Sequence, residues 1–228
     1  MQINGVLLVD KPTKMTSHDV VYLLRRKLNI KKIGHAGTLD PEATGLLILL
    51  IGKATKLSQQ FLQLNKLYRT KITLGVKTAT GDRSGRVIQT GPVTNYEHGQ
   101  LYEAILSFQG ESLQIPPMVS AKKVGGKKLY VLARQGIEIE RKPQKINIFK
   151  IEITNIKLPD IYFDVLCSKG TYIRTLAEDI GQRLGTIAYM SGLRRLACGQ
   201  YRVEDAIGTS DISALEKEEI IKRFIGVK

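Results

Sequence analysis

The chain has 228 residues, 43% hydrophobic and 25% charged, which is the composition of a folded protein with a sizeable core rather than of a disordered one. Its formal net charge is +14 and unevenly spread: residues 204–228 hold four cations against six anions, leaving +16 on the rest. A surface this basic favours polyanions, nucleic acid first and an anionic membrane second, with plain solubility as the bland alternative. In chain order, Gly5 to Asp10 reads as a short buried strand broken by Lys11-Pro12. Thr16-Ser17 can cap a helix with Val20, Val21, Leu24 and Leu28 on its apolar face. A polar, glycine-rich loop is expected from Asn29 to Glu42, then an apolar strand from Leu46 to Ile51. That strand is the longest apolar run, far short of a membrane span, and the N-terminus lacks the pattern of a signal peptide.

Leu57, Phe61 and Leu64 have the spacing of one helix face, and Tyr68, Thr70, Ile72 and Leu74 alternate with polar residues as in a strand. Leu101, Ile105 and Phe108 mark a helix stopped by Gly110. Residues 115–126 read as irregular around Pro116-Pro117, followed by a short helix to Arg134 that Gly136 closes. Ile146 to Ile156 and Ile161 to Cys167 read as two strands, and Ile173, Leu176, Ile180 and Leu184 as the apolar side of a helix ended by Gly185. Strands and helices do not alternate regularly, so the expected fold class is α+β around a mixed, largely antiparallel sheet. The two cysteines, Cys167 and Cys198, lie in no Cys/His cluster, so neither a metal site nor a disulfide is expected, and the compartment is read as cytoplasmic.

Three stretches invite chemistry. Gly45 to Lys53 is no phosphate loop: six apolar residues separate Gly45 from Gly52, and Ala54 stands where Ser or Thr is needed. In Gly34-His35-Ala36-Gly37-Thr38-Leu39-Asp40-Pro41, the glycines permit sharp turns and Pro41 keeps Asp40 extended; the bland reading is a tight turn with Asp40 as a helix cap. In the stretch Cys167 to Arg174, Arg174 falls in the first turn of a helix, where its charge opposes the dipole. Either it pairs with a carboxylate or it is solvated. Lys122, Lys123, Lys127 and Lys128 surround Gly125-Gly126 near Tyr130, a basic loop suited to an RNA backbone or simply to water.

Taken together these residues resemble the tRNA pseudouridine-55 synthase (TruB) family, from about Asn4 to Tyr201. The motifs are Asn4-Gly5 with Asp10-Lys11-Pro12 and Thr16-Ser17; Gly34 to Pro41; Gly52-Lys53-Ala54-Thr55-Lys56; Lys66-Leu67-Tyr68; Pro116 to Ala121; Ala133-Arg134-Gln135-Gly136; Cys167 to Arg174; and Leu193-Arg194-Arg195. The resemblance implies the pseudouridine synthase fold, with helices and loops flanking the sheet, and an isomerase that converts uridine-55 in the T-arm of tRNA to pseudouridine without cofactor or metal. It implies Asp40 as the catalytic aspartate, Tyr68 as the tyrosine packed on the target base, and Arg174 as the partner of the aspartate. It places Lys11, Tyr172 and Leu193 in the uracil pocket and makes His35 the filler of the RNA stack. The expected partner is the T-arm stem-loop, with no membrane, bound by a monomer; the alternative is a tRNA-remodelling protein without catalysis. Two departures stand out. Ala79 occupies a position where the family often has an aspartate, leaving only Asp82 in that loop. The expected organisation is a catalytic domain over 1–203 and a short acidic tail over 204–228, without the C-terminal RNA-binding (PUA-like) domain of many members.

Overall fold

The computed structural model describes residues 3–120 and 122–226; for Lys123, Lys127, Lys128 and Arg134 it describes the backbone alone. Along the chain run β1 (Gly5–Lys11), α1 (Ser17–Leu28), β2 (Ile33–Ala36), β3 (Thr44–Ile51), α2 (Ser58–Gln63) and β4 (Lys66–Leu74). There follow β5 (Val76–Thr78), β6 (Val87–Thr90), α3 (His98–Leu106), β7 (Gly110–Gln114), β8 (Lys123–Val124), β9 (Lys127–Lys128) and α4 (Leu129–Arg134). The chain continues through β10 (Gln144–Lys157), β11 (Asp160–Cys167), α5 (Ile173–Arg183), β12 (Ala188–Cys198), β13 (Tyr201–Arg202), β14 (Ile207–Gly208), α6 (Thr209–Ala214) and α7 (Lys217–Lys222). Of the described residues, 3–68 and 193–226 make one compact unit and Arg69–Gly192 a second; the chain passes between them within β4 and again within β12.

The first unit has the strand order β14-β1-β3-β12, with β2 also paired to β3. β1 and β3 are antiparallel, from Gly5 opposite Ile51 to Lys11 opposite Gly45. β3 is apolar along its length because both its faces are covered, and its side chains sort by the period of two. Leu47, Leu49 and Ile51 join Leu7 and Val9 under Val20, Val21, Leu24 and Leu28 of α1. Leu46, Ile48 and Leu50 join Val6 and Leu8 against Ala54, Phe61 and Val203. Each such side chain contributes about 2 kcal/mol by leaving water. α1 starts where its sequence directs: Thr16 Oγ1 accepts from Asp19 N at 3.1 Å and Asp19 Oδ2 accepts from Thr16 N at 2.8 Å, a reciprocal cap.

The acidic segment after residue 203 is folded. Ile207, Ile212 and Ile220 are buried in the α1 cluster, and β14 pairs in parallel with β1 through Val9 and Ile207. Its acids serve as caps: Asp211 accepts from Gly208 N at 3.0 Å and Glu219 from Glu216 N at 2.9 Å. Charge faces outward and the isoleucines inward, a 3.6-residue pattern that composition alone conceals.

The second unit has the order β12-β4-β11-β10-β7, with small antiparallel pairs β5-β6 and β8-β9 beside it. β11 buries Ile161, Phe163, Val165 and Cys167 in strict alternation, and α5 buries Ile173, Leu176, Ala177 and Ile180. Antiparallel pairs predominate but β12 pairs with β3 in parallel, so the arrangement is α+β and mixed, as expected. Several strands run where none was expected, β2 and β12 among them. β2 lies inside the stretch read as a loop, and β12 was not foreseen because Gly192, Arg194 and Arg195 interrupt its alternation. Among the described residues no helix is long and apolar enough to cross a membrane.

Candidate active site

In the first unit, Lys11 ends β1 opposite Gly45 at the start of β3, and His35 lies in β2 opposite Leu49. Asp40 sits in the connection between β2 and β3, which are antiparallel neighbours from Ile33 opposite Ile51 to Ala36 opposite Ile48. Only the second glycine of the motif takes a left-handed conformation: Gly37 has φ +90°, whereas Gly34 lies within β2. Asp40 caps no helix of eight residues or more; the backbone after it makes a turn in which Ala43 N donates to Asp40 O at 3.1 Å.

Bonds to both neighbours of Asp40 hold it. Ser17 Oγ accepts from Leu39 N at 2.9 Å and donates to Leu39 O at 3.2 Å. The Lys11 ammonium donates to Pro41 O at 3.2 Å, and also to Met15 O at 2.7 Å and Pro12 O at 2.8 Å. Lys11 is fully buried. Burial pushes its pKa down to about 8, and Arg195 adds to that, while the Asp40 and Glu42 carboxylates oppose it. The Asp40 carboxylate therefore lies close enough to the Lys11 ammonium to act on it electrostatically.

His35 has a buried Nδ1 with no hydrogen-bond partner among the described residues. Burial first, then Arg195 and His18, hold its imidazole below its ordinary pKa and so neutral at physiological pH. A neutral ring is a better apolar stacking surface than an imidazolium. Tyr68 and Leu193 are half-buried and pack against the same apolar cluster as Leu39 and Ala43, which flank the aspartate loop. Beside them, Arg194 grips Asp10 through two parallel bonds of 3.0 and 2.7 Å.

In the second unit, Arg174 stands at the start of α5, where sequence made its charge a puzzle. It is buried, at 4% exposure, which excludes the solvated reading. Nη1 donates to Thr80 O at 2.9 Å and Nη2 to Val119 O at 2.7 Å, while Nε lies 3.9 Å from Asp82 Oδ2. Asp82 is itself built in. Its Oδ1 accepts from Thr80 Oγ1 and Ser84 Oγ at 2.6 Å and from Ser84 N at 2.9 Å. The loop with Ala79 in place of an aspartate thus still holds Asp82 in a built set of hydrogen bonds. The Thr80-Gly81-Asp82-Arg83-Ser84 spacing, with hydroxyls two residues either side of an Asp, was the available signal.

Tyr172 is half-buried at the N-cap of α5, and its backbone is fixed by Gln114, which donates to Tyr172 O at 3.0 Å and accepts from Tyr172 N at 2.8 Å. Of the four lysines proposed for the RNA backbone, Lys122 donates to Gln144 Oε1 at 3.0 Å. The side chains of Lys123, Lys127 and Lys128 lie outside the described residues.

Comparison with known proteins bears on the family and the fold. Residues 25–173 match the TruB family pseudouridylate synthase N terminal domain, and residues 174–225 match the tRNA pseudouridylate synthase B C-terminal domain. A tRNA pseudouridine synthase B of Opitutus terrae is 51% identical over 99% of this chain and 94% of its own. One of Alkaliphilus oremlandii is 52% identical over 96% of this chain and 73% of its own. Among solved structures, a Cbf5-Nop10-Gar1 complex superposes with a TM-score of 0.75 at 29% identity, covering 97% of this chain and 59% of that one. An H/ACA RNP bound to a substrate RNA containing 2'-deoxyuridine gives 0.70 at 27% identity, covering 96% and 58%. The chain thus spans about three fifths of those structures' length. With a family match over most of its residues and relatives about half identical over nearly the whole chain, the chain belongs to the TruB family of pseudouridylate synthases.

Proposed function

We propose that this chain isomerises uridine-55 in the T-arm of tRNA to pseudouridine, with Asp40 as the essential group. The observation that carries the reading is the loop around Asp40, held through Leu39 by Ser17 and through Pro41 by Lys11. A carboxylate fixed on both sides in this way is oriented before substrate arrives, which is where much of catalysis lies. The relatives' names supply the substrate, and the net charge of +14 fits a polyphosphate partner.

The target base is stacked in RNA and must be flipped out, at a cost of a few kcal/mol. In this reading His35 enters the vacated space and recovers part of the stacking, aided by its neutrality. Tyr68 packs on the flipped uracil, with Tyr172 and Leu193 lining its pocket. The bond between N1 and the sugar breaks, the base rotates, and a bond forms from C5 to the same sugar carbon. The proton displaced from C5 leaves and N1 regains one, so atoms balance without cofactor. Asp40 acts as nucleophile or as base for a sugar proton, and the resemblance to the family makes Arg174, which stands beside Asp82 in the second unit, the arginine assigned to it.

The test is to incubate wild type and Asp40→Asn with unmodified tRNA, map pseudouridine, and measure RNA affinity. Wild type should modify one T-arm uridine, and the variant should bind with unchanged affinity but form no product. Product from Asp40→Asn within tenfold of the wild-type rate removes Asp40 from the chemistry. RNA binding by wild type with no product would favour the remodelling protein instead.

A further inference from the structure

Among the described residues Arg195 is the largest fully buried side chain, at 1% exposure, yet it forms no ion pair with any of them. Its Nε donates to Leu46 O at 2.7 Å and its Nη2 to Gly37 O at 3.1 Å. Those two carbonyls stand at the two ends of the connection that carries Asp40. One guanidinium therefore spans the base of the loop, from Gly37 just after β2 to Leu46 near the start of β3.

The backbone around it has been shaped to admit this. β12 pairs Arg195 with Gly45, and a Cβ on Gly45, at φ +99°, would lie 2.3 Å from Arg195 O and 2.7 Å from Arg195 N. At the other end, a Cβ on Gly37 would stand 3.4 Å from Nη1. Both contacted ends of the loop are thus glycines or their neighbours, and the strand carrying the arginine passes as close as backbone can.

Burying a cation against carbonyls alone is expensive, and an apolar side chain of similar volume would pack there at lower cost. The expense has a counterpart in the site. Arg195 lies close enough to Lys11 and His35 to act on both electrostatically, so its charge belongs to the same cluster as Asp40.

We propose that Arg195 is a positioning residue for the reaction: its guanidinium ties Gly37 to Leu46 and so sets where the intervening loop presents Asp40. The proposal rests on the assignment of Asp40 above. Ser17 and Lys11 hold the residues either side of the aspartate, and Arg195 holds the frame in which those bonds act. The fork geometry is needed because two carbonyls in fixed directions must be served by one rigid group; a lysine ammonium on its flexible stem cannot hold both.

The experiment compares wild type, Arg195→Lys and Ile220→Ala, the last a core truncation in α7, which supplies none of the hydrogen bonds that hold the loop. Three quantities are read for each: the single-turnover rate of pseudouridine formation on a T-arm stem-loop, the Kd for that RNA, and the melting temperature. Arg195→Lys should lose about a hundredfold in rate, the scale of a one-ångström misplacement. Its Kd should stay within about threefold, since phosphate contacts carry the affinity. Ile220→Ala should melt earlier and react at the wild-type rate when assayed well below its melting temperature. A wild-type rate for Arg195→Lys overturns the proposal. So does a loss of rate that Ile220→Ala reproduces at matched melting temperature, or an Arg195→Lys chain that no longer unfolds cooperatively, for then the arginine only holds the fold. Failure of the Asp40 assignment looks different: Asp40→Asn would be active while Arg195→Lys could still be slow.

Discussion

The buried ammonium of Lys11 makes the stability of the first unit depend on pH in a direction opposite to the usual salt-bridged lysine. Its pKa falls from 10.5 in the unfolded chain to about 8 in the fold, chiefly through burial. Between those values the unfolded chain binds more protons than the folded one, so stability rises with pH through that window. Below pH 8 the full cost of burying the charge is present, about 3 kcal/mol from a shift of two and a half units. Raising the pH from 7 to 9.5 should relieve about 2 kcal/mol of it. Other groups titrate as well, so the measurement is a difference between wild type and Lys11→Met, each unfolded in urea at both pH values. Lys11→Met has no charge to bury but leaves Pro12 O, Met15 O and Pro41 O without their donor, and these terms largely cancel at pH 7. The stability of wild type relative to Lys11→Met should therefore climb by about 2 kcal/mol on going to pH 9.5. An unchanged difference would show that the ammonium is not held against its solvation and that the aspartate loop is not fastened by a buried charge.

Further outcomes can be checked directly. Arg174→Lys should cut the single-turnover rate by at least about a hundredfold while preserving charge, because one ammonium cannot serve Thr80 O, Val119 O and a carboxylate in a planar fork; near-normal turnover would remove its orienting role. Tyr68→Phe should bind RNA normally and, if the hydroxyl moves a proton, react slowly, whereas Tyr68→Leu should fail in both respects; a Phe variant equal to wild type leaves Tyr68 as a packing group. Ile212→Ala should cost about 2–5 kcal/mol in urea unfolding, since Ile212 is fully buried under α1; a loss under 1 kcal/mol would mean the segment after residue 203 contributes little to the core. The affinity for T-arm RNA should fall steeply and linearly in a log–log plot against salt, and a flat plot would exclude phosphate contacts as its main source.

Reading the chain residue by residue located the helices and strands whose apolar pattern is local. α1 could be placed from Thr16-Ser17 and its four apolar positions, and β3, β4, β10 and β11 from runs of apolar or alternating residues. The motif residues Lys11, His35, Asp40 and Tyr68 were singled out by resemblance to the family, since the residues alone left Asp40 equally readable as part of a tight turn. What the sequence left open depends on partners far along the chain. β12 reads poorly as a strand, since its arginines are satisfied only by Asp10, Leu46 O and Gly37 O, at least 149 residues away. The acids after residue 203 read as a tail, because the caps they make and the cluster their isoleucines join form only once β1 and α1 are in place. Composition determined that the protein is basic and folded, and the motifs determined which loop carries the carboxylate. Only the tertiary structure decided what holds that loop: a hydroxyl from α1, an ammonium from β1 and a guanidinium from β12, because a backbone carbonyl accepts from whichever donor the fold brings to it.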